Sequence, residues 1–188
     1  MGLLWSPVAV VTSRLGEVVN AQIAVAISAA SIVPEAPRLL VQIYKENYSH
    51  DLIYQSQSLA LNFLRRDQVA LIPKFGLASG RDEDKLLGVE YNVRDSGCPI
   101  LTDCWGYLDC RIINAMDGGD MTCFLAEVLE GAVQGSKEPL WWRDARRELS
   151  GEAMQQWDKK IKNSIQGSVN SMESISYASW TPILMERG

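Results

Sequence analysis

The feature that most constrains the fold is a pair of long alternating segments joined by a tight turn. Residues 103–116 alternate between an apolar face and a face of aromatic and charged side chains, which is the period of a β-strand. Asp-Gly-Gly-Asp at 117–120 is a strong hairpin signal, and residues 121–133 return as the partner strand. The apolar face of the first segment carries Cys104, Leu108, Cys110 and Ile112. The pattern therefore predicts a long antiparallel hairpin within a mainly β fold.

Shorter segments predict at least four more strands, interrupted by short helices. Residues 8–12 are β-branched, residues 38–44 alternate with apolar side chains on both faces, and residues 59–63 alternate again. Ser49 is expected to be the N-cap of a helix that ends near Ser58.

Three further segments are assigned from their proline, cysteine and serine content. Asp67 is expected to cap a helix that runs through Leu71, and Pro73 would stop or kink it. Residues 98–101 are expected to form a loop. The serine-rich residues 167–177 are expected to form an extended or mobile tail segment.

Residues 136–188 differ in composition and are expected to form a helical C-terminal extension to a domain that spans residues 1–135. The extension holds four of the six tryptophans. Ser150 followed by Glu152 resembles a helix start. One helical face then carries Ala153, Met154, Trp157, Ile161 and Ile165. We expect this helix to pack on the rest of the fold or on a partner subunit, because its narrow apolar face and mixed charges disfavour a membrane surface.

Composition excludes several function classes. A net charge of −5 and a pI near 5.0 lack the basic footprint of nucleic-acid binding, and no window approaches the ~18 apolar residues of a membrane-spanning helix. His50 is the only histidine, so a His-rich metal centre is excluded and no catalytic side chain is assigned. The four cysteines lack C-x-x-C spacing, which predicts no metal and the reduced thiols of a cytoplasmic protein. Any chemistry is expected to come from a cofactor.

Two segments allow a binding role beside a purely structural one. Residues 21–31 are rich in small side chains, which let a backbone approach a ligand closely but also suit a tightly packed strand or short helix. Residues 76–87 form a polar loop that could hold a phosphate, or could be a solvated charged loop. The loop residues with this chemistry are Ser79, Gly80, Arg81 and Lys85.

Several short segments follow one another in an order that is typical of a known family. They are Pro-Val-Ala-Val-Val-Thr-Ser at 7–13, the small-residue segment 26–34, Tyr-Ser-His-Asp-Leu-Ile at 48–53, Leu-Ala-Leu-Asn-Phe-Leu at 59–64, Phe-Gly-Leu-Ala-Ser-Gly-Arg-Asp-Glu-Asp-Lys-Leu at 75–86, and the hairpin segment 119–128. In this order and spacing the chain resembles the flavin reductase-like family of FMN-binding split-barrel proteins. The resemblance covers about residues 6–135.

The resemblance implies a Greek-key split barrel that forms a homodimer with FMN near the subunit interface. It implies that the ring and ribityl chain lie beside residues 20–31 and that the phosphate lies beside residues 45–49 and 79–85. The residues expected to contact FMN are Asn20, Gln22, Ile23, Ala29, Ser31, Lys45, Tyr48, Ser49, Ser79, Gly80, Arg81 and Lys85. His50 is expected to lie near the phosphate or, as the alternative, to be exposed to solvent.

The resemblance implies an NAD(P)H-dependent flavin reductase that transfers hydride to FMN. The alternatives are a flavoredoxin-like FMN electron carrier that serves a partner protein, or a barrel that serves only as an interaction module. Two departures from the family keep these alternatives open. Residues 23–26 read Ile-Ala-Val-Ala where many relatives carry threonine and serine, and Met121 stands where many relatives carry a histidine near the nicotinamide.

Overall fold

The computed structural model describes residues 6–135 and 137–182. Within these ranges the chain forms nine strands, four α-helices and two short 3-10 helices. The strands are β1 (Ala9–Leu15), β2 (Val18–Ala24), β3 (Ile27–Ala29), β4 (Arg38–Tyr44), β5 (Ser58–Phe63), β6 (Tyr91–Val93), β7 (Pro99–Leu101), β8 (Gly106–Asp117) and β9 (Met121–Val133). The α-helices are α1 (Tyr48–Ser56), α2 (Leu71–Gly76), α3 (Trp142–Glu148) and α4 (Gly151–Ser168), and the 3-10 helices are Arg66–Gln68 and Val169–Ser171.

Seven of these strands form one curled antiparallel sheet in the order β2-β1-β5-β8-β9-β4-β3. The long hairpin is confirmed, because β8 pairs with β9 along its length. Gly106 lies opposite Val133 at one end and Asp117 lies opposite Thr122 at the other, and two register shifts interrupt the pairing. β5 returns to lie between β1 and β8, so the strand order is not sequential, as in Greek-key barrels. The fold is a mainly β half-barrel, and helices α1 and α2 pack against its strands.

Two apolar clusters pack on opposite faces of β1, because successive residues of a strand point to opposite faces. Val10 belongs to one cluster, whereas Ala9 and Val11 belong to the other, and all three are fully buried. The C-terminal extension adds Leu140, Trp142 and Ala145 to the Val10 cluster. The backbone amide of Leu140 donates to the Leu64 carbonyl and the amide of Val8 donates to the Leu140 carbonyl, each over 2.8 Å. The start of the extension is therefore built into the core of its own barrel.

Two predicted helix starts are wrong. Asn47 occupies the N-cap position of α1 without a side-chain capping bond, so Ser49 lies inside the first turn and is 1 % exposed. Asp67 caps no α-helix, because the chain there forms a single 3-10 turn whose Gln68 side chain accepts from the Arg65 amide over 2.8 Å. α2 begins only at Leu71, and Pro73 fits its first turn, where a missing amide hydrogen costs no helical bond.

Two other local predictions also change. Residues 98–101 are not simply a loop, since Pro99–Leu101 forms β7 and pairs with β6. The predicted extended segment 167–177 begins with the end of α4 and the 3-10 helix Val169–Ser171, and only the residues after it lack regular structure. The Ser150 helix start is confirmed, because its hydroxyl accepts from the Ala153 amide over 3.2 Å.

The structure describes the four cysteines as free thiols, and three of them are buried. Burial raises the pKa of the Cys104 thiol to about 11 and also raises the pKa of Cys98 and Cys110. Neutral buried thiols act as small apolar side chains. The prediction that Cys104 and Cys110 share one face is wrong, because Cys104 precedes β8 and packs in the Val10 cluster, whereas Cys110 packs in the cluster of Ala9 and Val11.

Candidate functional site

A cavity lined by cations lies between β2, the first turn of α1, the C-terminal end of α2 and helix α4. Its volume is about 260 Å³, and we call it the cation-lined cavity. Arg81, Lys85 and Lys160 line it, against one carboxylate, that of Glu46. The cavity brings together nine of the residues expected from the resemblance: Asn20, Gln22, Ile23, Tyr48, Ser49, Ser79, Gly80, Arg81 and Lys85.

A second cavity of about 650 Å³ adjoins the first along β2, and we call it the apolar cavity. Its wall is formed by the small-residue segment 23–26, by Met121 and by the indoles of Trp142 and Trp157. The two cavities share a boundary whose residues include Gln22, Ile23, Tyr44, Asn47, Trp157 and Ile161. The apolar cavity lies within the range of about 300–1,000 Å³ that small-molecule sites occupy. One elongated ligand with a charged end and a planar apolar end can therefore occupy both.

A buried hydrogen bond joins the two elements that form the floor of the cation-lined cavity. The side-chain amide of Asn20 on β2 donates to the Ser49 hydroxyl on α1 over 2.9 Å, which leaves the hydroxyl hydrogen free to donate to a ligand oxygen. The loop backbone at Gly80 lies so close to Asn20 that an added Cβ would overlap the Asn20 amide. Glycine is thus required at this position by close approach and not by an unusual backbone angle.

Arg81 is held beside the start of α1 by three contacts. Its guanidinium donates to the Glu46 carbonyl over 3.1 Å and to the Asp51 carboxylate over 2.8 Å, and it lies 5.0 Å from the centre of the Tyr48 ring. Asn47 provides no side-chain cap for α1, and Tyr48 and Ser49 at the start of this helix line the same cavity. A guanidinium beside the positive end of a helix dipole is a favourable place for an anion.

Lys85 is 5 % exposed and reaches the cavity from the loop after α2. Its ammonium group donates to the Phe75 carbonyl over 3.0 Å and to the Ala78 carbonyl over 3.3 Å. Burial, with a smaller contribution from the nearby Lys160 charge, lowers the pKa of Lys85 to about 8. A cation held among carbonyls, without a carboxylate salt bridge in the described part of the chain, suits an anionic ligand.

Three of the expected contact residues lie outside both cavities. Lys45 forms an ion pair of 2.5 Å with Asp117 at the end of the long hairpin. Ala29 is exposed at the end of β3, and the hydroxyl of Ser31 accepts from the Val33 amide over 3.0 Å. The described chain therefore does not bring these three side chains to the other nine.

His50 is neither solvent-exposed nor in the cation-lined cavity. Only 12 % of its side chain is exposed, its Nε2 lies 2.8 Å from the Thr122 hydroxyl, and its ring stacks on Tyr54 with 5.8 Å between the ring centres. Burial lowers the pKa of His50, so the ring is neutral near neutral pH. The expectation of a solvent-exposed histidine is wrong because the curled β9 covers the helix from the other side.

The residues that sequence reasoning missed come mainly from the extension. Helix α4 places Trp157, Lys160 and Ile161 on the wall of the cation-lined cavity, and α3 places Arg146 on the wall of the apolar cavity. The apolar face of α4 was visible in the sequence, but it predicted only packing. The sequence places Lys160 next to Ile161 on that face, but it does not show which surface the face covers.

The donor set fits a phosphate ester that carries a planar ring. Arg81, Lys85, Ser49 and the first turn of α1 supply charge and hydrogen-bond donors at one end. The apolar cavity supplies indole and aliphatic surface at the other end. Among residues 6–135 and 137–182 no cluster of His, Cys, Asp or Glu could hold a metal ion. None of the helices described is both long and apolar enough to cross a membrane.

A curled half-barrel sheet with a cation-lined cavity at a helix start and an adjoining apolar cavity has the architecture of a split barrel. The sequence model of the family described as "Flavin reductase like domain" matches residues 1–150 of the 188. The chain therefore belongs to the flavin reductase-like domain family, and the resemblance read from its segments is confirmed. The match extends beyond residue 135 into the segment that contributes Leu140 and Trp142 to the core.

Three comparisons place the chain within this family. It is 31 % identical over 133 residues to the high molecular weight rubredoxin of Moorella thermoacetica, covering 70 % of this chain and 57 % of that protein. It is 31 % identical over 110 residues to the reductase component of the 4-nitrophenol 4-monooxygenase/4-nitrocatechol 2-monooxygenase of Rhodococcus opacus, covering 58 % and 57 %. The structure of the flavin reductase PheA2 superposes with a TM-score of 0.64 at 27 % identity, covering 75 % of this chain and 87 % of that one. The chain thus spans little more than half the length of both curated relatives.

Proposed function

We propose that this chain binds FMN across the two cavities and acts as an NAD(P)H-dependent flavin reductase. The observation that carries the proposal is the junction of a cation-lined cavity with an apolar, indole-lined cavity along β2. The phosphate would lie near Arg81, Lys85 and the start of α1, and the ring would lie along residues 23–26. When bound, FMN would supply the hydride-accepting ring that the side chains of this chain lack.

The comparisons support this proposal in two ways. One relative is named as the reductase component of a monooxygenase, and one solved structure is named as a flavin reductase. The cation-lined cavity also contains the loop whose sequence carried the resemblance at residues 75–86. On this basis we propose that the reduced flavin serves a partner oxygenase or another electron acceptor.

In the proposed mechanism the side chains orient the flavin and exclude water from the apolar cavity, and they transfer no protons. Asn20 and Ser49 fix the distance between β2 and α1, so the phosphate donors stay in place. Trp142 and Trp157, with ring centres 5.0 Å apart, close one side of the apolar cavity against solvent. Burial raises the pKa of Tyr44 on the shared boundary, which keeps its hydroxyl protonated as a hydrogen-bond donor.

A second candidate function is an FMN electron carrier without its own NAD(P)H turnover. Met121 favours it, because this residue lines the apolar cavity at the position where a histidine would stand near a nicotinamide. A thioether is only a weak hydrogen-bond acceptor, so it provides no donor to a nicotinamide carboxamide. The relative named as a rubredoxin agrees with an electron-carrying role.

Titration of the purified apoprotein with FMN, followed by steady-state oxidation of NADH and NADPH, tests both candidates. The reductase proposal expects FMN binding and NAD(P)H oxidation above the rate of free FMN. The carrier proposal expects FMN binding and reduction by dithionite or a partner, without NAD(P)H oxidation. A protein that binds no FMN contradicts both.

The expected homodimer and the cytoplasmic location stay predictions. Multi-angle light scattering with and without FMN measures the first, and fractionation of the source cells measures the second. A dimer whose interface covers Ala29 and Ser31 would also account for two of the expected contacts that lie outside the cavities of one subunit.

A further inference from the structure

We propose that Lys160 of helix α4 is the third cation of the phosphate site, so that the C-terminal extension completes the cofactor site. This inference rests on the proposed function and names a part of the site outside the barrel segments that carried the family resemblance. It assigns a binding role to the extension, for which the sequence pattern predicts only packing.

The face that α4 turns toward the barrel carries both apolar and polar side chains. Trp157, Lys160, Ile161 and Ser164 all line the cation-lined cavity, and their spacing of three and four residues places them on one side of the helix. Trp157 anchors the helix, since its ring packs on Trp142 with 5.0 Å between ring centres. The next turn therefore holds Lys160 at a fixed position over the cavity.

Lys160 and Lys85 both donate to carbonyl groups at the C-terminal end of α2. The Lys160 ammonium donates to the Gly76 carbonyl over 2.7 Å, while Lys85 donates to the carbonyls of Phe75 and Ala78. The negative end of the α2 dipole offsets part of this charge. Neither ammonium group forms an ion pair with a carboxylate of the described residues, although the charge of Glu46 acts on Lys160 and that of Glu83 acts on Lys85.

Two partly buried cations that repel each other favour an anion between them. The charge of Lys160 contributes to the lowered pKa of Lys85, so the two ammonium groups repel each other. A phosphate dianion would turn this repulsion into two charge-assisted hydrogen bonds. The neutral ribityl end of riboflavin would not, because it lacks the phosphate.

The test compares FMN with riboflavin on the Lys160→Gln variant and on a matched control, Lys162→Gln. Lys162 lies two residues further along α4 and is exposed. We expect Lys160→Gln to weaken FMN binding about tenfold or more, which is the effect of losing one hydrogen bond to a charged group, and to leave riboflavin binding unchanged. Lys162→Gln should bind both ligands like the unchanged protein, and Lys160→Arg should retain FMN binding.

Two results would overturn the inference. Unchanged FMN affinity in Lys160→Gln means that Lys160 does not touch the phosphate. An equal loss for FMN and riboflavin means that the residue only supports the fold. If the unchanged protein binds riboflavin and FMN equally, the phosphate site is contradicted but flavin binding is supported. If it binds neither flavin, the proposed function itself is contradicted.

If Lys160→Gln does not fold, a measurement on the unchanged protein still tests the inference. Acetylation of lysines in the presence of each ligand, quantified by mass spectrometry, should show that FMN slows modification of Lys160 and Lys85 relative to Lys162. Riboflavin should give much weaker protection. Equal protection by the two flavins, or none by FMN, contradicts the inference.

Discussion

The indole of Trp157 packs over Gly76, at the point where helix α4 meets the end of α2. Gly76 is buried, and a Cβ added there would overlap the Trp157 ring. The same residue offers its carbonyl to Lys160 over 2.7 Å. The missing side chain at Gly76 therefore sets how closely the extension approaches the barrel and both cavities.

Gly76→Ala should move α4 away from the barrel. The extra methyl group displaces the Trp157 ring, and overpacking of this kind costs about 1–3 kcal/mol of unfolding free energy. Urea denaturation measures the loss, and FMN affinity should fall with it. Gly151→Ala is the matched control, because no heavy atom of the described chain lies within 4 Å of a Cβ there and alanine favours a helix by up to about 1 kcal/mol. Equal effects of the two substitutions would contradict the packing.

FMN affinity should fall as pH rises from 7 to 9.5. Lys85 has a pKa of about 8 in the folded protein, below its ordinary 10.5, so its positive charge is lost in this range. Lys160, whose pKa is also lowered by burial, acts in the same direction. Riboflavin is the control ligand, because its affinity should change much less. Lys85→Met should bind FMN more weakly at pH 7 and show a flatter pH profile.

The same shift predicts an effect of pH on stability. Between pH 8 and 10.5 the unfolded chain holds a proton on Lys85 that the folded chain has released, so the free energy of unfolding should increase with pH across this window. Urea denaturation of the protein and of Lys85→Met at pH 7.5 and 10 measures the difference. A steeper decrease for the unchanged protein than for Lys85→Met would contradict the direction.

FMN should quench the fluorescence of Trp157. This indole lines both cavities, so a flavin ring in the apolar cavity would lie beside it. Trp157→Phe should therefore remove a clear share of the quenching that FMN causes. Trp141→Phe is the control, since Trp141 is 43 % exposed and lines neither cavity. Quenching that is lost equally in both variants would place the ring elsewhere.

Protonation of Asp117 at acidic pH should lower the free energy of unfolding. Hydrogen bonds from Lys45 and from the Gly119 and Ser176 amides hold the pKa of this carboxyl at about 2, below the ordinary 3.8. Its contribution to stability is thus complete above about pH 4 and is lost between pH 4 and 2. Asp117→Asn should lose about 1–2 kcal/mol at pH 7, because it removes the charge from these hydrogen bonds.

The difference between the two proteins should therefore shrink as the pH falls from 4 to 2. Denaturant titrations at several acidic pH values measure it, and Asp95→Asn, at an exposed position, is the control. A difference that stays constant over this range would show that Asp117 is not the titrating group.

Much of the fold could be predicted from local patterns. β4 and β9 begin and end at the predicted residues, and the hairpin at 117–120 was visible because alternation and turn chemistry act over a few neighbouring residues. The helix starts at Ser49 and Asp67 were misplaced because the usual capping side chains have other roles. Ser49 accepts from Asn20, which is far away in sequence, and Asp67 forms ion pairs with Arg65 and Lys137.

Some residues of the candidate site could likewise be predicted from the sequence, and others could not. Ser79, Gly80 and Arg81 could be found because they stand close together in one polar loop, and Asn20 and Ser49 followed from the family resemblance. Trp157 and Lys160 could not, since no residue near them in the sequence shows which surface α4 covers. The ion pair of Lys45 with Asp117 could not be predicted either, because the two residues are far apart in the sequence. This pair holds Lys45 away from the other cations.

The sequence by itself determined most of the long strands, the hairpin, the family and the polar loop at residues 76–87, because each depends on short-range periodicity or on residue order. Only the tertiary structure decided that the start of the extension is part of the core, that two cavities adjoin along β2, and that Lys160 and Lys85 meet at the end of α2. These relations depend on which buried surfaces meet, and that is set by the packing of the whole chain around Val10, Trp142 and Gly76.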